Sequence, residues 1–405
     1  MTDGAQTVVV GGGQAGLAVS RELTAAGVRH VVLERARIGQ TWRGRWNSFC
    51  LVTPNWSVQL PGHPYDGDDP DGYMPRDEIV AYLERYAAAV GAPVREGVAV
   101  TRIWQRAEGG FELEASDGGI VAQQVALSTG AYQRPHRPAG AATFPPDLLQ
   151  IDVEDYRNPD ELAPGGVLVV GSGQSGCQIS EELHEAGREV FLACGRAGWG
   201  PRRLGDHDLF WWLSEAGDLD DRTDSLPDKA ARLGANLQAS GHHGGHDLHY
   251  RTLRAMGVTL LGRFLGADGH TARFASDLGE SVAAGDQRHG KVMSGFRDFA
   301  AKRGVDWPGV PEPEPFDPAA PETLSLSGLG AVIFTSGFRP DYESWVDCPG
   351  AFDELGFPVH DEGSSTVVPG LHFVGVHFLR KRKSSLLIGV GEDAAIVAGR
   401  IASAA

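Results

Sequence analysis

The 405-residue chain is short of cysteine, of positive charge and of long apolar runs. Its four cysteines, Cys50, Cys177, Cys194 and Cys348, are scattered with no C-x-x-C pair, a spacing that fits neither a zinc site nor a dithiol redox motif. A reduced, cytoplasmic compartment is the expectation. The formal charge of −17 repels phosphate polymers, so neither nucleic acid nor an anionic membrane is expected as a partner. Local basic patches remain free to hold a small phosphate. No run approaches the ~20 apolar residues of a membrane helix. The opening "MTDGAQTVVV" has no basic n-region, so no signal peptide is expected.

Glycine is plentiful, and two glycine-rich stretches repeat one another. "VVVGGGQAGLAVSREL" begins at Val8, and "VLVVGSGQSGCQISEEL" begins at Val167. Each reads as an apolar strand, a tight turn and an amphipathic helix. Gly11, Gly13, Gln14 and Gly16 match Gly171, Gly173, Gln174 and Gly176 at a constant offset of 160, with Ser175 in the turn of the second copy. In such a cradle one glycine makes the turn, one admits a pyrophosphate and one lets helix and strand pack closely. The anion sits on unpaired N–H groups at the helix start.

The copies part company downstream. Twenty-three residues after its first glycine, the first copy reaches Glu34, an acid suited to ribose hydroxyls and hostile to a 2′-phosphate. The same count in the second reaches Cys194, followed by Arg196, whose forked donors suit a phosphate. Arg202 and Arg203 lie close enough in sequence to assist; a solvated loop cation is the plain alternative for Arg196. The first cradle reads as FAD, the second as NADP(H).

Around these units, "PRDEIVAYLERYAAAVG" has a helical period, with Ile79, Tyr82, Leu83 and Tyr86 on one face. Proline-rich stretches near 132–149 and 310–322 mark crossings between domains. "DLFWWLSEAG" and "DSLPDKAARLGANLQ" suggest a mostly helical insertion. The expected fold class is therefore α/β, with two Rossmann-like dinucleotide-binding domains and the NADP domain inserted in the FAD domain. The FAD domain would span 1–160 and 323–405, and the NADP(H) domain 161–322.

With "GQTWRGRW", "LVTPNWSVQLPG", "MPRDEIVAYLERYA", "STGAY", "TSGFRPD" and "FLRKRKSSLLIGVGEDAA" placed beside the cradles, nearly the whole chain resembles the class B flavin-dependent monooxygenases. The resemblance is nearest to a bacterial flavoprotein branch often labelled as cation transport. It implies FAD contacts at Gln40, Thr41 and Trp42, and at the backbone of Val100. It also implies turns beside the cofactors at Ser128, Thr129 and Gly130, and at Thr335, Ser336 and Gly337. A loop at Gly389 to Gly391 would face the flavin. Asn55 matches an asparagine that lies over the flavin near the oxygen-reacting carbon; an Asx turn after Pro54 is the alternative. Trp42 and Trp46 read equally as core.

Two departures stand out. The Phe-x-Gly-x-x-x-His fingerprint of flavin monooxygenases is missing from "FPPDLLQIDVEDYRNP", where Asp152 replaces the histidine. The usual Gly-Asp near a flavoprotein C-terminus is Gly375–Val376. The resemblance implies that NADPH reduces FAD, that O2 adds as a C4a-(hydro)peroxide, and that a small organic substrate is oxygenated, foremost at nitrogen or sulfur. Baeyer–Villiger oxygenation of a ketone and a non-oxygenating NAD(P)H:acceptor reductase are the alternatives. A homodimer is compatible with the family. Trp211 and Trp212 read as pocket lining or as an apolar helix face. No metal site is expected: His242 and His246 have helical ligand spacing, but Gly244 and Gly245 oppose a helix.

Overall fold

The apolar runs that open the two repeated units become inner strands of two sheets, the first mixed and the second parallel. Residues 5–404 are described by a computed structural model. Strand Ala5–Val10 lies between His30–Glu34 and Gly118–Leu127, parallel to both. Strand Gly166–Val170 lies between Val190–Ala193 and Leu329–Phe334, again parallel to both. Strands buried on both faces need side chains that are apolar on both faces, and Val167 to Val170 are accordingly all buried. The second sheet is completed by Gln150–Asp152 at one edge and Thr259–Leu261 at the other.

The first sheet draws on distant parts of the chain. Its order is Val346–Asp347, Val100–Gln105, Phe111–Ala115, Gly118–Leu127, Ala5–Val10, His30–Glu34 and Val94–Glu96. Leu371–Phe373 also pairs with Gly118–Leu127. The C-terminal helix, Val390–Ser403, packs against the first cradle helix, Gln14–Ala25. Segments before 150 and after 345 thus build one sheet, and the second sheet lies between them in the chain.

The two cradle helices, Gln14–Ala25 and Gln174–Glu185, both have 12 residues. Each ends before a glycine in the left-handed region, Gly27 (φ 72°) and Gly187 (φ 78°). Leu17, Leu23, Ile179 and Leu183 are fully buried against their sheets, each contributing on the order of 1.5–3 kcal/mol of transfer free energy. Helix Arg76–Ala89 buries Ile79, Tyr82, Leu83 and Tyr86, the face its period marked.

Between the sheets the chain departs from its sequence pattern. "DSLPDKAARLGANLQ" forms only the short turns Thr223–Ser225 and Lys229–Leu233, broken by Pro227 and Gly234. The longest helix, Leu278–Arg303, has a weak period because Gly279, Gly285, Gly290 and Gly295 interrupt it. Trp212 is buried with Phe296 and Met293 of that helix and donates to the Leu204 carbonyl at 3.1 Å. Trp211 stacks on His207. The helix-face reading therefore holds for Trp212, and Trp211 packs partly buried at the edge of the same cluster.

The close approach of strand end and helix start gives a stability test. A Cβ on Gly176 would overlap the Gly171 carbonyl oxygen and approach Thr335 Oγ1 at 2.8 Å. Gly176→Ala is expected to destabilise the fold by about 1–3 kcal/mol. Gly290 is exposed on the long helix and a Cβ there meets nothing within 4 Å, so Gly290→Ala should stabilise by about 0.5–1 kcal/mol. Urea midpoints moving in opposite directions are the expected result.

Candidate active site: two dinucleotide cradles

At the first cradle, Gly11 takes φ 109°, and a Cβ there would sit 2.8 Å from the Ser128 carbonyl oxygen. A Cβ on Gly16 would overlap the Gly11 carbonyl oxygen. A Cβ on Gly13, in contrast, meets nothing within 4 Å. The second cradle repeats this: Gly171 at φ 111° sits against Thr335 and Ser336, and Gly173 faces open space. Two glycines in each unit are consumed by packing, and the third leaves ground in front of the helix N-terminus. That arrangement fits a pyrophosphate on unpaired N–H groups.

Glu34 ends its strand buried, with Oε2 accepting from the Gly12 N–H at 2.7 Å and Oε1 from the Ala36 N–H at 3.0 Å. These bonds hold the carboxylate beside the turn. Val98, two residues before Val100, donates to the Glu34 carbonyl at 2.9 Å. This brings the start of strand Val100–Gln105 towards the same end of the sheet. Ser128 follows the neighbouring strand, and its hydroxyl is buried with no hydrogen-bond partner. An unpartnered hydroxyl, among the described residues, on the residue whose carbonyl abuts Gly11 is compatible with a ligand at this cradle. Thr129 and Gly130 complete the turn, Gly130 at φ 68°.

A glutamine opens each cradle helix and reaches sideways. Gln14 accepts from Trp42 Nε1 at 2.8 Å and donates to the Ser385 carbonyl at 3.1 Å. It therefore ties the short helix Gln40–Arg43, with Gln40 and Thr41, and the loop before Gly389 to the first cradle. A Cβ on Gly375 would overlap the Ala15 Cβ, so that loop leaves the sheet pressed on the cradle helix. Gln174 exchanges hydrogen bonds with the backbone of Ala239, in both directions. Ser175 and Gly176 continue that helix, and Ser336 donates to the Val170 carbonyl at 2.9 Å beside Gly337.

The basic residues sort by burial. Arg196 is exposed, 3.6 Å from an equally exposed Glu280. Arg203 is also exposed, on the strand Arg203–Leu204. Arg202 does not belong with them. It is buried, pairs with Asp208, donates to the Val52 carbonyl at 2.9 Å and stacks on Tyr73. Burial of a guanidinium demands a partner, and Asp208 supplies it. Arg202 fastens segment 52–73 to the inserted region and reads no phosphate.

Asn55 is buried, and its amide is engaged with the segment 69–74. Nδ2 donates to the Asp69 carbonyl at 2.9 Å, and Oδ1 accepts from the Met74 N–H at 2.7 Å. These contacts tie Asn55 to the distant segment 69–74 and are not those of an Asx turn, whose partner would lie two residues on. Asp152 receives a two-pronged pair from Arg137, at 2.8 and 3.0 Å. The crossing segment is thereby pinned to the second sheet without the fingerprint histidine. All four cysteines are free and buried. Burial raises the Cys50 thiol to about 11 and pushes Cys177 and Cys194 up as well, so none is a ready thiolate.

The histidine-rich loop forms a single turn, His242–Gly244, as its glycines require. His246 pairs with buried Glu181 at 2.5 Å. Ligand atoms of His242, His243 and Glu185 come within 4.8 Å of one another. Glu185 closes the helix whose N-terminus forms the cradle, roughly 16 Å away by helical rise.

Two helix starts with room for an anion, each following a strand with parallel neighbours on both sides, fit two dinucleotides. Residues 8–214 match the pyridine nucleotide-disulphide oxidoreductase family. An uncharacterized CzcO-like oxidoreductase of Geobacillus kaustophilus is 31% identical over 96% of this chain and 95% of its own. The rice indole-3-pyruvate monooxygenase YUCCA1 is 34% identical over 44% of each chain. In fold, a flavin monooxygenase from Stenotrophomonas maltophilia superposes with a TM-score of 0.70 at 21% identity, covering 99% of both chains. The chain belongs to the pyridine nucleotide-disulphide oxidoreductase family and is a flavin-dependent, monooxygenase-like oxidoreductase. The family and these relatives imply a flavin and a nicotinamide dinucleotide as cofactors. No helix among the described residues is long and apolar enough to cross a membrane.

The open ground at the two middle glycines is testable. Gly13→Ala and Gly173→Ala should each leave stability within about 1 kcal/mol of the parent, since nothing packs there. Gly13→Ala should lower the flavin recovered per chain. Gly173→Ala should keep the flavin and raise the Michaelis constant for the nicotinamide cofactor several-fold, read by steady-state oxidation kinetics.

Proposed function

We propose that the chain is an NADPH-dependent FAD monooxygenase that oxygenates a small organic substrate, foremost at nitrogen or sulfur, in the cytoplasm. FAD would occupy the cradle of Gly11 to Gly16, in a domain formed by 1–160 and 323–405. NADPH would occupy the cradle of Gly171 to Gly176, in the inserted domain 161–322. The observation that carries this reading is the contrast beyond the two turns. Glu34 is buried and aimed at the first cradle, whereas the second has no acid there and ends in exposed Arg196.

The bound cofactors supply hydride transfer and oxygen activation. The chain's part is to bind, orient and exclude water. Glu34 accepts from ribose hydroxyls; Arg196, with Arg203 nearby, forks onto the 2′-phosphate once it leaves its weak pair with Glu280. Gln14 and Trp42 hold the loop that ends at Gly389 against the flavin side. Asn55 acts by fixing the loop 69–74 above that side through its two backbone contacts. The absence of a cysteine pair and the burial of every thiol argue against dithiol chemistry on the chain itself and leave oxygen or another acceptor to take the electrons.

Stopped-flow absorbance of the NADPH-reduced protein mixed with O2 tests the reaction type. A transient species distinct from reduced and oxidised flavin is expected before reoxidation. Reoxidation in a single step would instead assign a reductase. Arg196→Ala should raise the Michaelis constant for NADPH by about 10-fold or more, the scale of one charged hydrogen-bonded pair, and leave that for NADH nearly unchanged. Equal effects on both would remove the 2′-phosphate from this site.

A further inference from the structure

Residues 218–240 run as a strap from the first cradle's loop to the second cradle. At one end, Arg382 donates to the Asp218 carbonyl and pairs with Asp221, and Thr223 donates to the Phe378 carbonyl at 2.6 Å. At the other, Ala239 is bonded to Gln174, the first residue of the second cradle helix. Under the strap lies a cleft of about 220 Å³, with Phe378 and Arg382 on the flavin-side loop, Leu226 and Asn236 on the strap, and Arg288 on the long helix. The cleft thus lies under the strap, against the loop that leads to the first cradle.

Arg288 is the unusual member. It is half-buried, and its stem lies over Gly198, where a Cβ would overlap it. Its one hydrogen bond among the described residues goes to the Ala235 carbonyl at 2.7 Å, and it has no carboxylate partner there. A guanidinium has five N–H donors, so most of the fork is uncommitted. No carboxylate lines the cleft among the described residues, and Arg382 on its wall is already paired with Asp221. Burial, and then the like charge of Arg382, hold the Arg288 guanidinium below its ordinary basicity, which an incoming anion would relieve. Phe378 offers an apolar wall and is held at φ 51°, a strained conformation of the kind that recurs at ligand clamps.

We propose that this cleft is the substrate site, and that it selects small organic carboxylates whose apolar body lies on Phe378 and Leu226 and whose carboxylate is forked by Arg288. This rests on the monooxygenase reading for the meaning of "substrate", but the binding itself does not depend on it. The volume lies below the ~300–1,000 Å³ of drug-sized pockets, so the ligand is small.

Calorimetry with the full chain as purified tests the assignment, with phenylacetate and its neutral isostere phenylacetamide as probes. Phenylacetate is expected to bind about 10-fold or more tightly than phenylacetamide, as one charged hydrogen-bonded pair provides. Arg288→Gln keeps a donor for the Ala235 carbonyl and removes the charge, so it should erase that preference without changing the melting curve. Arg288→Lys should restore part of it. Equal binding of the two probes by the parent, or binding of neither, overturns the proposal. So does a preference that survives in Arg288→Gln, or a variant that weakens NADP+ binding alone, which would hand Arg288 to the nucleotide. The readout needs no turnover, so single-step reoxidation would sink the oxygenation reading and leave this result standing or falling by itself.

Discussion

Everything in this structure depends on one close approach, repeated once: a helix start resting on a backbone carbonyl with no room for a methyl group. Gly16 sits over the carbonyl of Gly11, and Gly176 over that of Gly171. The approach brings each helix N-terminus to the C-terminal ends of parallel strands, where its free N–H groups have no intrahelical partner. The glycine between them stays clear of packing. Close packing and an empty anion seat are therefore two results of one backbone geometry.

Identical seats do not make identical sites, because selectivity is added by the strand that follows. In the first unit that strand ends in an acid whose two oxygens are held by backbone N–H groups of the turn and of Ala36. In the second it is followed by Cys194, buried and inert, and the chain then emerges into solvent at Arg196. A repeated fold unit thus carries two opposite local charges. The sideways reach of Gln14 and Gln174 extends the difference, since one grips the C-terminal loop and the other the strap.

The cradles, the parallel strands and helix Arg76–Ala89 were legible because each depends on residues close in sequence, read by period and glycine position. Trp212 and Arg202 were harder. Their roles are set by Phe296, Asp208 and Val52, partners brought in by the fold. Asn55 shows the same limit: its type and place suggested a ligand contact or a turn, and only the bonds to Asp69 and Met74 show where its amide goes. The helix Leu278–Arg303 escaped notice because four glycines dilute its pattern, and Arg288 went unremarked with it. Nothing local distinguishes that arginine from a surface cation. The sign lay in what fails to pair with it, which only the folded neighbourhood reveals.

The strap is fixed at its ends by bonds of different character. Near the second cradle it is held by neutral backbone and amide hydrogen bonds. Near the first it is clasped by the basic run Arg380 to Lys383, in which Lys381 and Lys383 both meet Asp220 and Glu392. Added salt screens exposed charges and hardly touches buried amides. The strap's hold near the first cradle is consequently part ionic: rising ionic strength loosens the ion pairs there, while the neutral bonds of Thr223 to the Phe378 and Arg380 carbonyls, and the mooring at the second cradle, remain.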